Sequence, residues 1–170
     1  ENNNTKQIDW YGIDYNKEAV EIAKSQIKDA FCYNLNNITS VQLRCIKNII
    51  SPDIILMIDT LEHLVSPERI LSLLLTVFPQ TPLLIILPNI SCLTIVDQLS
   101  RCEFNYTQHG ILDFTHLKHF TPISAIRFLD KYGYKVEKKP LFLNEPCLNN
   151  YRSLTTFPSE IKYNNLVLNI

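Results

Sequence analysis

The apolar positions of this chain fall into short blocks whose spacing switches between two periods. "IDWYGI" at 8–13 reads as a short strand stopping at Asp14, and the stretch behind it repeats apolar residues at Ala19, Ala23 and Ile27, one face of a helix. Asn16 is a suitable N-cap for that helix, and Glu18 sits where the positive helix end favours an acid. "AFCYNL" at 30–35 reads as a second strand, whereas "VQLRCIKNII" at 41–50 fits a strand or a helix. "PDIILMID" at 52–59 and "LLIILPN" at 83–89 are unbroken apolar runs, the pattern of strands covered on both faces. Ser66 and Pro67 mark a helix start, with Ile70, Leu74 and Val77 on its apolar face. "SCLTIVDQLSR" at 91–101 reads as helical and 102–120 as irregular. Thr121 and Pro122 open a helix carrying Ile123, Ile126 and Leu129, which Gly133 closes. "YKVEKKPLF" at 134–142 is a last strand candidate, and the asparagine-rich stretch over 141–170 carries no readable pattern.

Strands alternating with helices predict the α/β class: a mostly parallel sheet, helices on both faces, and ligands at the carboxyl ends of the strands. No repeat or linker divides residues 1–170, so one domain is expected. A content of 46% hydrophobic and 19% charged residues suits a globular protein and argues against disorder. The net charge of −1, with Lys and Arg scattered, leaves no footprint for a polyanion, so nucleic acid is not an expected partner. The cluster Lys135, Lys138, Lys139 reads as a solvated face. Five cysteines without Cys-x-x-Cys spacing argue against a disulfide framework or a zinc knuckle, and a reducing cytoplasm is the expected location. The apolar runs are far shorter than the ~18 residues of a membrane span, and the polar start "ENNNTKQ" is no signal peptide. A start at Glu1 rather than methionine, with only 3 glycines, raises the expectation of a partial domain.

The predicted carboxyl ends of the strands hold Asp14, Asn34, Asp59 and Asn89. An ionised Asp14 offers two acceptor oxygens, a match for the vicinal hydroxyls of a ribose, and Gly12 just before it would let a ligand approach the backbone. The plainer reading makes Asp14 an ordinary turn residue ahead of a helix.

"PDIILMIDTLEHLVSPERIL" resembles the segment after the fourth strand of class I S-adenosylmethionine-dependent methyltransferases, where a strand ends in an acid and runs into Leu-Glu-His-Leu and a proline-started helix. "GIDYNKEAVEIAKSQ" resembles the second strand and following helix of the same fold. The stretch from "LPNISCLTIVDQLSR" through "GILDFTHLKHFT" resembles the methyltransferase type 11/12/23-like subgroup, with Pro-Asn after the fifth strand and Gly-x-Leu-Asp-x-Thr-His further on. The resemblance spans about residues 8–140, with the segments in order. It implies a Rossmann-like methyltransferase sheet, S-adenosylmethionine as cofactor, and a small-molecule or glycan acceptor, since many members of that subgroup occur with polysaccharide synthesis. It places Asp14 on the cofactor ribose, Tyr15 beside the adenine, Asn34 and Leu35 where an acid usually meets the adenine amino group, and Asp59 and Thr60 beside the sulfonium. Glu62 and His63 then face the acceptor. His116 is the first candidate for a base acting on a hydroxyl acceptor, because imidazole titrates near neutrality; Asp113 would orient it and His63 is a further catalytic candidate.

Other readings stay open. Related methyltransferases of ubiquinone biosynthesis and of small-RNA ends use a similar Glu-His pair on a divalent metal, which would make Asp59, Glu62, His63 and His116 ligands, although no resident metal is the first expectation. His119 is expected to pack. A catalytically silent fragment or assembly module of the same fold, and an NAD-dependent dehydrogenase, are the two alternatives to a methyltransferase. Nucleotide-binding α/β units carry a glycine-rich loop about 20 residues before the ribose-binding acid, but only 13 residues precede Asp14. The expectation is therefore a methyltransferase sheet truncated at its N-terminus. Its missing first strand, which belongs between the second and fourth strands, would leave a gap there and abolish cofactor binding by the chain as given.

Overall fold

A computed structural model describes residues 8–136, together with the backbone of 141–143 and 165–169. Along the chain run β1 (Tyr11–Asp14), α1 (Lys17–Lys24), β2 (Asp29–Cys32), α2 (Ser40–Ile49), β3 (Ile55–Ile58), a 3-10 turn (Leu61–His63), α3 (Pro67–Val77), β4 (Leu83–Pro88), α4 (Leu93–Ser100), α5 (Pro122–Lys131), β5 (Leu141–Leu143) and β6 (Asn165–Asn169). The chain is thus mixed α/β, with short parallel strands in two small sheets. β1 and β2 pair in parallel, Tyr11 opposite Asp29 and Asp14 opposite Cys32. The second sheet has the order β3-β4-β6-β5, in which β3 and β4 are parallel and β6 is antiparallel to both neighbours. Among the described strands nothing pairs with the outer edge of β1 or of β3. No helix among the described residues is long and apolar enough to cross a membrane. Lys138, Lys139 and Cys147 lie outside the described residues.

Local chemistry accounts for most helix ends. The Asn16 side chain accepts from the amides of Glu18 and Ala19 at the start of α1. A reciprocal capping box joins Thr39 to Gln42 at α2, resolving the ambiguous 41–50 stretch as helix, and a second joins Thr121 to Ser124 at α5. Pro67 opens α3, but Ser66 makes no capping bond there; the proline's fixed φ and missing N–H suffice. Gly133 ends α5 in the left-handed region at φ 88°, and Tyr134 N–H then returns to the Leu129 carbonyl.

The core is one cluster in which α3 (Ile70, Leu71, Leu74) and β4 (Leu83, Ile85, Leu87) meet Leu43 of α2 and Leu129 of α5. A satellite of Cys92, Ile95 and Leu112 lies beside it. Three expectations are corrected. β3 is not covered on both faces: Ile58 is 50% exposed, and β3 has no partner at its outer edge among the described strands. β4 alternates buried with half-buried positions instead of being buried throughout. Ile27 falls beyond α1, where its side chain fills the space beside Gly12: a Cβ on Gly12 would meet Ile27 Cδ1 at 3.2 Å. Gly12 therefore serves packing of the strand against its own helix hairpin. The last strand candidate survives only at its end, as β5, since 137–140 lie outside the described residues, and β6 was not anticipated.

Arg69 of α3 ties the β2–α2 connection to the core. Its guanidinium donates to the carbonyls of Leu35 and Asn36, both at 3.3 Å, and to that of Ile38. The Asn36 side chain in turn accepts from Val65 N–H at 2.9 Å. Replacing Arg69 with Met keeps the stem and removes every donor. Hydrogen bonds from charged groups make that loss about 2–4 kcal/mol, read as a lower urea midpoint at unchanged denaturant slope.

Candidate functional site

The strand-end residues singled out in the sequence occupy two places. Asp14 and Tyr15 end β1, exposed; the Asp14 carboxylate accepts from Asn16 N–H at 2.7 Å, so one oxygen serves the turn into α1. Asn34 behaves alike, accepting from Asn36 N–H at 2.9 Å, while Leu35 packs against the core. Asp59 and Thr60 follow β3. Asp59 N–H reaches Ile86 O at 3.2 Å, extending the β3–β4 pairing, and its φ of 43° puts a non-glycine residue in the left-handed region. The Thr60 hydroxyl donates to Ile58 O. Among the described residues no hydrogen bond or ion pair joins Asp14, Tyr15 or Asn34 to Asp59 or Thr60.

What the fold does assemble is Glu62, His63 and His116. One nitrogen or oxygen atom from each lies within 4.8 Å of the others. The backbone makes the encounter: Leu117 and Lys118 both donate to the Glu62 carbonyl, at 2.7 and 3.0 Å, which carries the neighbouring His116 onto the 3-10 turn. The two imidazoles then meet edge to face, centroids 4.7 Å apart. Asp59, the fourth acid or imidazole in the metal alternative, is not part of this group.

Proton positions follow from the partners. His116 Nδ1 lies 2.9 Å from the Ile111 carbonyl, an acceptor only, so Nδ1 carries the hydrogen. His63 Nδ1 faces the Thr115 carbonyl at 3.3 Å and the Thr115 hydroxyl at 3.2 Å. That hydroxyl gives its single proton to Asp113 at 2.7 Å, so toward His63 it accepts. Both rings therefore hold Nδ1–H against acceptors. The expectation that Asp113 orients His116 is corrected here: the Ile111 carbonyl does so, and Asp113 acts on His63 through Thr115. Donation by the Thr115 hydroxyl and amide holds the Asp113 carboxyl below the usual range. His119 packs against Phe104, and burial, with His116 nearby, lowers its pKa. Thr115 and Ile111 went unnoticed in the sequence; the threonine next to His116 was the one available signal.

Glu62 is the unusual member. It is 1% exposed, and neither carboxylate oxygen has a hydrogen-bond partner among the described residues. Burial pushes its pKa up to about 7, with the charge of Asp59 adding to the rise and the amides of Glu62 and Thr60 offsetting part of it.

A raised acid pKa in the folded state means that the unfolded chain releases its proton first, so stability falls as pH rises. Between the ordinary 4.5 and the folded value of about 7, the metal-free protein should lose stability. The loss should approach ~3 kcal/mol. Glu62→Gln should flatten that slope and raise the urea midpoint above pH 7; a parent whose stability is level across this window would show the carboxylate to be solvated.

Comparison with known proteins finds no family model that matches this chain and no curated protein that matches it.

Proposed function

We propose that the chain is a Rossmann-like S-adenosylmethionine-dependent methyltransferase domain acting on a small-molecule or glycan acceptor. The observation that carries this reading is the arrangement of β1 and β3. Each is a parallel strand whose outer edge has no partner among the described strands, and their carboxyl ends present Asp14 and the Asp59–Thr60 loop. The resemblance asks for one further strand between those two, and the edges left open are the ones it would fill. Asp14 then keeps one oxygen for the ribose, Tyr15 lies beside the adenine with Asn34 and Leu35, and Asp59 and Thr60 stand by the sulfonium. Glu62, His63 and His116 are on the acceptor side. Methyl transfer is an in-line displacement at an activated carbon, for which positioning is the main requirement.

A second reading, a catalytically silent fragment or assembly module, is favoured by one observation. Asp14 and Asn34 each commit an oxygen to their own turns. Calorimetry separates the readings when run with S-adenosylmethionine and, in parallel, with NAD. It is done on the 170-residue chain and on a version extended upstream by roughly 40 residues, enough for a strand, loop and helix. The extended protein should bind S-adenosylmethionine and not NAD, and the 170-residue chain neither. In the extended protein Asp14→Ala should weaken binding at least about tenfold. Absence of binding by the extended protein supports the silent module, and NAD binding supports a dehydrogenase.

A further inference from the structure

We infer that Glu62, His63 and His116 form a binding site for the primary ammonium group of a small organic amine. The first support is the chemistry of the cluster, which consists of acceptors. The Glu62 carboxylate is 1% exposed, and neither oxygen has a hydrogen-bond partner among the described residues. Each imidazole holds its Nδ1–H against an acceptor, Ile111 O for His116 and Thr115 for His63, and a neutral ring in that tautomer accepts at Nε2. One carboxylate and two such rings call for a ligand made of donors, and a primary ammonium brings three N–H groups and one positive charge. The charge offsets the cost of burying Glu62, and the N–H groups satisfy its oxygens and the rings.

The second support is spacing. Hydrogen bonds of about 2.9 Å around a tetrahedral nitrogen set neighbouring acceptors about 4.7 Å apart. One nitrogen or oxygen atom from each of the three residues lies within 4.8 Å of the others. Metal bonds of ~2.1 Å ask for separations of about 3.4 Å, so a bare ion fits only if the cluster closes, whereas an ammonium needs no closure. A guanidinium is planar and a quaternary ammonium has no N–H, so neither matches three acceptors set in this way. The third support is access: Glu62 is buried, but His63 and His116 are only half-buried, so the amine approaches from the side of the rings and its carbon substituent stays toward solvent. That this amine is the handle of a methyl acceptor rests on the methyltransferase reading, in which the three residues lie on the acceptor side; the binding itself does not.

The test uses the 170-residue chain without cofactor, at pH 8, above the value of about 7 to which burial pushes Glu62. Methylammonium chloride is titrated while the histidine ring signals are followed by NMR, with tetramethylammonium chloride, a cation without N–H, as the second arm and Zn²⁺ as the third. Of the 4 histidines, His63 and His116 should shift on adding methylammonium while His109 stays. Saturation should give a dissociation constant on the order of 10 mM, near the limit for a ligand of two heavy atoms. Tetramethylammonium should leave both rings where they are. Glu62→Gln should weaken methylammonium binding at least tenfold, while His109→Gln, at an exposed histidine outside the cluster, should leave it unchanged. Circular dichroism reports whether each variant is folded, and should Glu62→Gln unfold, the contrast between the two ammonium ions in the parent decides. Cofactor binding is read separately by the calorimetry, so failure of this site and failure of the methyltransferase reading show in different measurements. Equal shifts with both ammonium ions, shifts confined to other histidines, a folded Glu62→Gln variant that binds like the parent, or a response to Zn²⁺ with none to methylammonium would overturn the site.

Discussion

Two consecutive amides, those of Leu117 and Lys118, converge on the backbone carbonyl of Glu62. This is the constraint from which the rest of the candidate site follows. The carbonyl belongs to a single 3-10 turn, and the amides belong to a stretch with no regular structure of its own. That stretch is fixed elsewhere at its end, where Phe120 bridges Asn89 and accepts from Ile90 N–H. Closing a loop of this length costs little more than closing one half as long, because closure entropy grows only with the logarithm of length. Two backbone bonds and the buried ring of Phe120 are therefore enough to bring His116 beside His63.

The turn itself is held by β3 and β4. Asp59 must enter the left-handed region because its amide continues the strand ladder to Ile86 while the chain turns inward immediately afterward. Such a conformation costs on the order of 1 kcal/mol for a residue with a side chain. The burial of Leu61, at 1% exposure, offsets it, since burying one leucine contributes about 1.5–3 kcal/mol. Glu62 follows Leu61 inward and is buried with it. The same packing that makes the turn affordable thus creates the unpartnered carboxylate.

Much of the scaffold was legible because it rests on local chemistry. The Asn16 cap, the proline start of α3, the Thr121 box and the Gly133 stop each act within a few residues, so the sequence displays cause and effect together. What stayed hidden depends on distant partners. Full coverage of β3 was inferred from its apolar run, but apolar residues show what a strand can bury and not whether a neighbour exists to bury it. Nor does any spacing reveal that Asp113 would bond Thr115 while Ile111 holds His116, because both are settled by how an irregular loop folds on itself.

The acids of this chain differ in how much electrostatic work they are placed to do. Asp14 and Asp59 are exposed, where water and salt screen a carboxylate and a single charge shifts little. Glu62 is buried, with a segment docked on its carbonyl, and there the same charge is screened less. With two imidazoles already locked in one tautomer beside it, the charge has a direction as well as a magnitude. A proton, which the group holds up to a pH of about 7, answers it. That proton neutralises Glu62 alone, while Thr115 and Ile111 fix the orientation of the two rings independently of it.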